Sequence, residues 1–435
     1  MKSHSKSIVA IIFVAILCAF LIGIPVLTVY RNISGDEQSN AGGGYNYQYV
    51  DWVSLYPFAE TAENTSQGFN NKALNNYKNK CTSLTSSFEL WQNMNTLFKY
   101  KFIYLYGKVN RLIGTKFIRD ANDTTADLGN GYLAFPYGKH SPKSTVQNAV
   151  DCITDFEEYL AKQNTEFLCV ICPSKYPDEE REISNIFTSW RYKQDKFYDK
   201  LTQSGTQVLN LYDSMPSDYD EYLSCFYKTD NHWKTETAFK ATALVAKKIK
   251  NEFSLDFDLE VLSPQNYNYK TYKDLLLGSQ GKKVGLGYIK PEDFTLITPK
   301  FDTKLHITVP QCNFDADGDF MTLIDEQVFK GNDVYSKSLY QSYGFGDIAF
   351  MQIENKNATN NTKILMLRDS FGGVVAPYLS LGCKQLDVLD LRRFNGSLKT
   401  YLEQNHYDIV IQLNNEAGTC TKETAQAHNS LFCFD

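Results

Sequence analysis

The sequence has little of what marks several common classes of protein. Its 435 residues carry a formal net charge of −6, so the chain lacks the broad positive field that a nucleic-acid-binding protein needs. Histidine occurs only six times, and no glycine-rich segment ends in the Gly-Lys-Ser/Thr of a phosphate-binding loop. With 43% apolar and 22% charged residues, the composition is that of a globular protein with one large core or two smaller ones.

The cysteines lack the dense, regular spacing of a disulfide scaffold. There are ten, and Cys18 lies in an apolar run near the N-terminus, so an odd number (nine) remains outside it and at least one of these stays unpaired in a monomer. Cys169 and Cys172 have the CxxC spacing that a redox site uses. Because they lie in an apolar, β-rich run and not at a helix N-terminus, we predict buried strand thiols.

Long apolar runs are also scarce, since only residues 8–30 could span a membrane. These 23 residues contain no charged side chain, and at ~1.5 Å per residue they cover a hydrocarbon core of roughly 30 Å. Lys2 and Lys6 precede the run, which favours a cytoplasmic N-terminus and an exported remainder. A cleavable signal peptide is the alternative, but its apolar core usually has only about 7–15 residues. We therefore predict an uncleaved signal-anchor and a single-pass cell-membrane protein with an extracellular main domain.

Composition shifts divide the chain into four parts. Residues 1–7 are predicted to be a cytoplasmic tail, and residues 8–30 the transmembrane signal-anchor. Residues 31–127 begin as a polar, glycine-rich stalk and continue as an aromatic-rich N-terminal region. The aromatic residues could stack on sugars, although packing on the main domain is the favoured interpretation. Residues 128–435 form the predicted main domain.

Short apolar strands alternate with helical patterns in the main domain. Strands are predicted at TEFLCVIC, TQVLNLY, KILML, QLDVLDL and YDIVIQL. Apolar spacing predicts a helix around residues 146–160 and another after Thr235, which we expect to be its N-cap. Residues from about 254 to 362 form a β-leaning, turn-rich insertion without this rhythm. The pattern predicts an α/β fold with a mainly parallel sheet between two layers of helices.

Two segments carry groups suited to acyl transfer. In "TDNHW", Asp230 and His232 are two residues apart, and on an extended segment such side chains point to the same side. In "RDSFGG", Ser370 follows the predicted strand KILML at a turn into a helix, with Gly372 and backbone N–H groups close by. This placement resembles a nucleophile elbow, although the sequence is not Gly-x-Ser-x-Gly. Because sites gather at the carboxyl ends of parallel strands, we expect the two segments to meet there.

The predicted roles follow from the chemistry of the three side chains. A serine hydroxyl needs a base to become a good nucleophile, so Ser370 would be the nucleophile and His232 its base. Asp230 would hold the imidazole tautomer and stabilise the imidazolium. Ser370 or Asp369 could instead merely cap the following helix. Asp230 and His232 could also be half of a metal site with Glu236, which we do not favour because no partner motif exists, so no metal or cofactor is predicted.

Other polar residues are candidates by position. Lys175 and Arg392 follow predicted strands, where they could bind an acyl oxygen or a sugar acid, although lone cations of this kind are more often solvated. Ser279 lies in "GSQGKKVG" (278–285), which we interpret as a turn near the cleft that could add a hydroxyl donor.

"TDNHW" together with "RDSFGG" resembles the DHHW family and the AlgX/AlgJ-type alginate O-acetylation proteins. These proteins are SGNH-hydrolase-like and carry Asp-x-His well before the serine. Further similar segments are GNGYLAFP, CPSKYP, LLGSQGKKVGLGY, LDLRRF and YDIVIQL. The resemblance extends from about residue 128 to the C-terminus. It implies an SGNH-like fold with Ser370 as nucleophile, His232 as base and Asp230 as the residue that orients the base.

The resemblance has one departure and leaves the oxyanion donors open. Asn231 stands where the motif that names the DHHW family has histidine, and we expect its side chain to face away from Asp230 and His232. Asn414 and Asn415, after the last strand, are candidates for the asparagine that SGNH enzymes use at the oxyanion.

We therefore expect a membrane-anchored, extracytoplasmic serine O-acetyltransferase that modifies a cell-surface or exopolysaccharide through an acyl-serine intermediate. The resemblance implies a membrane-bound O-acyltransferase as the partner that supplies acetyl groups. A carbohydrate acetylesterase with the same three residues is one alternative. A non-catalytic polysaccharide-binding or assembly protein is another.

Overall fold

The structure is a computed structural model. It describes Gly23, residues 98–119, 124–135, 145–175, 195–415 and 430–432, and Phe434. The predicted cytoplasmic tail, the stalk and, apart from Gly23, the predicted signal-anchor lie outside the described residues. Within the described ranges no helix is both long and apolar enough to cross a membrane. The chain divides into two units, Met1–Tyr106 and Gly107–Asp435, and every element discussed from β1 onward lies in the second.

Helices and strands alternate most regularly over residues 146–210 and 363–414. The helices are α1 (Lys99–Leu112), α2 (Val146–Ala161), α3 (Tyr219–Ser224), α4 (Thr235–Glu252), α5 (Ser279–Val284), α6 (Gly372–Leu379) and α7 (Leu398–Gln404), and residues 195–204 are also helical. The strands are β1 (Phe117–Arg119), β2 (Thr124–Gly129), β3 (Tyr132–Ala134), β4 (Glu166–Ile171), β5 (Val208–Asn210), β6 (Tyr267–Leu276), β7 (Glu292–Pro299), β8 (Leu305–Val309), β9 (Phe314–Gly318), β10 (Phe350–Asn355), β11 (Lys363–Arg368), β12 (Gln385–Leu389) and β13 (Ile409–Asn414).

Eight strands form one mixed sheet in the order β5-β4-β13-β11-β12-β10-β8-β9. The five strands from β5 to β12 are parallel, as the alternation of strands and helices predicts. The last three pair antiparallel, and all three come from residues 254–362. The sequence analysis missed that this β-leaning segment extends the central sheet, because antiparallel strands joined by irregular chain leave no helical rhythm to detect.

The sheet is buried on both faces. Side chains alternate along each strand, so Leu168 and Val170 of β4 face one core while Phe167 and Cys169 face the other. Helices α4 and α6 cover the first face. Helices α2 and α7, with residues 195–204, cover the second. The predicted three-layer α/β/α architecture is therefore confirmed.

Local sequence signals account for most of the element ends. The side chain of Thr145 caps α2 by accepting a hydrogen bond from the N–H of Asn148 at 3.0 Å. Asn130 and Gly131, both with positive φ, form the two-residue turn that joins β2 to β3 as an antiparallel hairpin. The predicted cap of α4 is wrong, because Lys234 is the N-cap and the Thr235 hydroxyl donates to the carbonyl of Thr295 at 2.5 Å.

The thiols of the CxxC segment are free and buried, as predicted. Cys169 lies within β4 and Cys172 directly follows it. Burial raises the pKa of Cys169 to about 12 and that of Cys172 well above its usual value. Because thiolates are the reactive form, these two residues are inert core side chains.

The packing of α2 on β4 yields a stability prediction. Phe156 is buried, its ring stacks on Phe434 with centroids 4.3 Å apart, and it meets Phe167 edge-on at 5.9 Å. Because Phe156→Ala would leave a cavity in this core, we expect the free energy of unfolding to fall by about 3–5 kcal/mol. The exposed neighbour provides the control, since Asp155→Ala should change it by less than about 0.5 kcal/mol in the same urea titration. Equal effects of the two substitutions would contradict this account of the core.

Candidate active site

Asp230 and His232 lie in a tight loop between α3 and α4. The loop is closed by backbone hydrogen bonds from Tyr227 N–H to the His232 carbonyl, 3.1 Å, and from Lys234 N–H to the Cys225 carbonyl, 2.8 Å. The carboxylate of Asp230 also accepts a hydrogen bond from the backbone N–H of His232 at 3.2 Å. The predicted extended segment is therefore wrong. A turn closed by the aspartate side chain, rather than the alternation of a strand, brings the two side chains together.

Three side chains from the two segments form a continuous hydrogen-bonded chain. His232 Nδ1 lies 2.5 Å from Asp230 Oδ1, and His232 Nε2 lies 2.7 Å from Ser370 Oγ. Burial by itself would raise the pKa of Asp230. The adjacent imidazole of His232 and the N–H groups of His232 and Ser279 outweigh that effect, so the pKa lies well below its usual value. The carboxylate is therefore ionised at neutral pH and oriented toward the imidazole.

The turn that presents Ser370 is shaped by the residue before it. Strand β11 ends at Arg368, and the carboxylate of Asp369 then accepts hydrogen bonds from the N–H groups of Phe371, 2.8 Å, and Asn415, 2.7 Å. The second of these bonds ties the turn to the end of β13. Burial raises the pKa of Asp369, against these donors. Phe371 is the N-cap of α6, without a side-chain capping bond, so neither Asp369 nor Ser370 is that cap.

The backbone N–H of Gly372 is not available as the oxyanion donor that was expected next to Ser370. Its N–H donates to the Asp369 carbonyl at 3.2 Å, so it does not point at the space before the serine. A Cβ at this position would lie 2.7 Å from the Cβ of Arg368, so the missing side chain allows the turn to pack on β11. Within the described part of the chain, the backbone N–H of Ser370 itself makes no hydrogen bond.

A half-buried carboxylate from the insertion fixes the loop before Asp230. Glu292, at the start of β7, accepts hydrogen bonds from Lys228 N–H, 2.8 Å, and from both the N–H and the hydroxyl of Thr229, each 2.7 Å. Burial raises the pKa of Glu292, against these donors. The Thr229 hydroxyl accepts in turn from Gly278 N–H at 2.9 Å. The sequence analysis missed Glu292, which is 63 residues from its partner and lies in no motif.

The "GSQGKKVG" segment supports Asp230 from the other side. It contains the short helix α5, not the predicted turn, and the N–H of Ser279 donates to Asp230 Oδ2 at 2.8 Å. The Ser279 hydroxyl donates to Asn231 Oδ1 at 3.3 Å, so the side chains of Asp230 and Asn231 both contact Ser279. A Cβ on Gly278 would lie 2.3 Å from Asp230 Cβ, so only glycine permits this approach. Ser279 thus contributes its backbone N–H to Asp230, and the donor role of its exposed hydroxyl stays a prediction.

Two aromatic residues hold the imidazole in place. The ring of Tyr340 stacks on His232 with centroids 3.9 Å apart and planes 10° apart. The fully buried Trp233 donates from Nε1 to the Tyr340 hydroxyl at 2.9 Å, and Phe371 lies 5.1 Å from the imidazole. The tryptophan of "TDNHW" is therefore an anchor for the loop. The sequence analysis missed Tyr340 because nothing in the sequence relates it to a residue 108 positions earlier.

Lys175 is a structural residue and not the predicted substrate ligand. It is 3% exposed, and its ammonium donates to the carbonyls of Leu133 and Tyr227 (the latter at 2.9 Å) and to Gln280 Oε1 at 3.1 Å. Burial lowers its pKa to about 7, opposed by the charges of Glu292 and Asp230. The residue ties β3, the Asp230 loop and α5 together.

The remaining candidates lie at the carboxyl ends of β12 and β13. Arg392 forms a two-point ion pair with the fully buried Asp390, with N···O distances of 2.9 and 2.8 Å, so it is not a lone cation. Asn414 is the last residue of β13, and the residue before it pairs with Arg368 of β11. The Asn414 carbonyl accepts a hydrogen bond from Cys172 N–H at 2.9 Å. The Asn415 amide donates to the Pro173 carbonyl at 3.1 Å and to the Ser174 hydroxyl. Asn415 thus links the turn of Ser370 to the end of β4.

The described geometry does not support a metal site formed by Asp230, His232 and Glu236. Glu236 accepts a hydrogen bond from the Thr235 hydroxyl at 3.2 Å. Among the residues that the structure describes, no group of three or more histidine, cysteine, aspartate or glutamate side chains is arranged to hold a metal ion.

Comparisons with known proteins confirm the resemblance seen in the sequence. Residues 137–276 match the family described as "SGNH hydrolase-like domain, acetyltransferase AlgX", a stretch that includes Asp230 and His232 but not Ser370. Bacillus cereus PatB1, solved with a sulfonyl adduct, aligns over 69% of this chain and 95% of its own, with 20% identity and a TM-score of 0.54. A DHHW family protein from Eubacterium siraeum aligns over 69% and 93%, with 16% identity and a TM-score of 0.51.

A third structure, the O-acetyltransferase domain of Pseudomonas putida AlgJ, aligns over 66% of this chain and 88% of its own, with 12% identity and a TM-score of 0.38, which is too low to support an inference. No curated protein sequence matches this chain. At these identities the similarities to PatB1 and the DHHW family protein show a common α/β fold, and the matched family describes that fold as SGNH-hydrolase-like.

The contact between Gly278 and Asp230 yields a prediction. In Gly278→Ala the new methyl group would push the Asp230 carboxylate away from the imidazole, because it would lie 2.5 Å from Oδ2. We expect the strongly downfield imidazole N–H resonance of a short Asp–His hydrogen bond to disappear from the proton NMR spectrum. Ser279→Ala is the matched control, since it keeps the backbone N–H that Asp230 accepts from, and should retain the signal. A retained signal in Gly278→Ala would show that the close approach is not required.

Proposed function

We propose that this chain is a membrane-anchored, extracytoplasmic serine O-acetyltransferase that modifies a polysaccharide through an acyl-serine intermediate. The observation that carries the proposal is the position of the His232 imidazole, which lies within hydrogen-bonding distance of both Asp230 and Ser370. A base in contact with a serine hydroxyl, itself oriented by a buried carboxylate, is the arrangement that activates serine for acyl transfer.

In the first half-reaction Ser370 Oγ attacks the carbonyl carbon of an acetyl donor. As the new C–O bond forms, the hydroxyl proton passes to His232 Nε2, and Asp230 stabilises the imidazolium through Nδ1–H. The tetrahedral intermediate collapses when the bond to the donor's leaving group breaks. His232 gives its proton to that group, which leaves acetyl-Ser370 and a neutral imidazole.

In the second half-reaction a sugar hydroxyl attacks the acetyl-serine. His232 removes the proton of this hydroxyl, and later returns it to Ser370 Oγ when the serine ester bond breaks. The acetyl group then resides on the sugar, and the enzyme is regenerated. If water attacks in place of the sugar, the same residues perform ester hydrolysis, so the choice between transferase and esterase depends on which hydroxyl reaches the acyl-serine.

The negative charge on the carbonyl oxygen requires a donor close to Ser370. The backbone N–H of Ser370 is suited to this role, because it makes no hydrogen bond within the described residues and belongs to the attacking residue itself. Gly372 N–H is engaged with the Asp369 carbonyl. Asn414, at the adjacent strand end, is the candidate for a second donor.

The family match favours acetyl transfer to a polysaccharide over simple hydrolysis. The matched family is named for an acetyltransferase, and the match spans the loop that carries the proposed base. Residues 8–30 would anchor the domain at the outer face of the cell membrane. That location would let a membrane-bound O-acyltransferase deliver acetyl groups to Ser370. Lys2 and Lys6 would remain on the cytoplasmic side.

Covalent labelling tests the nucleophile. A sulfonyl fluoride should form a sulfonyl ester on Ser370, with loss of fluoride and transfer of the serine proton to His232. Mass spectrometry of the intact protein should detect the label as an added mass. Ser370→Ala should abolish the label, and His232→Ala should slow labelling by roughly 10⁴-fold or more, because the base is lost. Ser279→Ala, which removes another hydroxyl next to the Asp230 loop, should label normally. Equal labelling of the wild type and Ser370→Ala would favour the non-catalytic, polysaccharide-binding function.

The acceptor distinguishes transferase from esterase. We expect the extracellular domain, supplied with 4-nitrophenyl acetate and a mixture of defined oligosaccharides, to produce acetylated sugar detectable by mass spectrometry. Release of 4-nitrophenol should accelerate with acceptor concentration, because the sugar resolves the acyl-enzyme. Free acetate as the sole product, at a rate indifferent to every sugar, would instead identify an acetylesterase.

A further inference from the structure

A cavity of about 680 Å³ lies beside the loop that holds Asp230 and His232. It lies within the second unit, between the β1–β3 sheet, the end of α1 and the start of β7. The cationic residues of its lining are Arg111, Lys116, Lys228, Lys234 and Lys290. Neither Ser370 nor His232 lines it, so it is separate from the site of the proposed chemistry. Its volume is within the range of about 300–1,000 Å³ that is typical of small-molecule sites.

The acidic residues of this cavity are already engaged. The Asp127 carboxylate accepts from the Tyr288 hydroxyl at 2.7 Å and from Gly129 N–H at 2.8 Å. Asp293 is paired with Lys273 at 2.6 Å. Glu292 is occupied by the backbone of the Asp230 loop. Asp127 also lies 3.8 Å from the Lys116 ammonium, so within the described residues the three carboxylates leave Lys228, Lys234 and Lys290 without an ion pair.

The basic residues exceed the acidic ones. Five cationic side chains and three carboxylates line the cavity, a difference of two positive charges in a chain whose net charge is −6. Within the described residues, the ammonium groups of Lys228, Lys234 and Lys290 have no carboxylate within ion-pairing distance; Lys228 lies over the ring of Tyr132 at 5.4 Å. A concave surface with uncompensated cations attracts anions from solution.

The cavity is joined to the active-site loop by its own lining. Lys228 and Lys234 directly bracket the five residues of "TDNHW", so one side of this loop faces the cavity and the other holds the imidazole against Ser370. Glu292, another lining residue, fixes the N–H groups of Lys228 and Thr229 just before Asp230. A ligand in the cavity would therefore bind next to the segment that positions the base.

We infer that this cavity binds an acidic segment of a glycan, through carboxylate or phosphate groups on the sugar chain. This inference rests on the proposed function in so far as the bound glycan is the acetyl acceptor, whereas the anion site itself requires no catalysis. The lysines supply the charge, and the half-buried Pro291 supplies apolar surface on which a sugar ring can lie. Lys228 and Lys290 are solvent-exposed and Lys234 is half-buried, so binding should weaken with salt.

Isothermal titration calorimetry with three probes tests the inference on the full chain. Tetragalacturonate carries carboxylates, tripolyphosphate carries phosphate groups, and maltotetraose is neutral. We expect the wild type to bind at least one of the two anions in preference to maltotetraose. In Lys228→Gln/Lys234→Gln/Lys290→Gln that binding should weaken about tenfold or more, because three positive charges of the lining are lost.

The matched control removes three lysines that do not line the cavity. Lys162→Gln/Lys304→Gln/Lys363→Gln changes the net charge equally at exposed positions and should bind as the wild type does. Circular dichroism verifies that both triple variants are folded. The anion that binds more tightly identifies the acidic group as carboxylate or phosphate.

Three results would overturn the inference: no binding of either anion, equal binding of maltotetraose, or equal losses in the two triple variants. Ser370→Ala should bind the anion with unchanged affinity, since no lining residue is altered. This measurement separates the two proposals. If serine labelling fails, the proposed acyl transfer is wrong and the proposed anion site is unaffected. If anion binding fails, the anion site is wrong and the proposed acyl transfer is unaffected.

Discussion

The buried carboxylate of Asp230 is the constraint on which the active-site geometry depends. An ionised carboxylate is stable away from water only when donors surround it, and three serve here: the ring of His232, the N–H of His232 and the N–H of Ser279. The last of these donors belongs to the insertion and can reach the carboxylate only because residue 278 has no side chain. The insertion is thus part of the site, because without α5 the carboxylate would lose a donor and the imidazole its fixed orientation.

The serine half of the site is built on different principles. Ser370 follows a central strand of the parallel sheet, and Asp369 joins its turn to β13 while Asn415 joins β13 to the end of β4. Three neighbouring strand ends are therefore fixed relative to one another, so the hydroxyl stands on a rigid frame. The imidazole belongs to a loop whose backbone is fixed by the Glu292 carboxylate. The hydrogen bond from Trp233 to Tyr340 fixes the loop further. Acyl transfer requires the hydroxyl of Ser370 and the imidazole of His232 to hold their relative positions to within a few tenths of an ångström. This requirement explains why so many buried polar contacts fix one short loop.

The sequence was most informative where structure is determined locally. The apolar spacing of α2, the continuous apolar run of β4 and the placement of Ser370 after β11 follow from periodicity, and all agree with the structure. Asp230 and His232 could be identified because they are two residues apart, although a turn, not a strand, brings them together. Glu292, Gly278 and Tyr340 could not be identified, because each acts on a residue tens of positions away. Lys175 was misjudged for a related reason: a lysine is exposed by default, and only the folded chain reveals the carbonyl oxygens that surround its ammonium.

The buried ammonium of Lys175 also explains how the short β1–β3 sheet takes part in the site. It joins the carbonyls of Leu133 and Tyr227, and Leu133 N–H donates to the Lys228 carbonyl at 2.8 Å, so β3 and the Asp230 loop are held together at two points. The same contact places the β2–β3 hairpin at the wall of the cationic cavity. This loop therefore has two faces. On one face its imidazole contacts Ser370, and on the other the lysines at its two ends line the cavity. Lys175 and Glu292 fix the backbone of the loop between them.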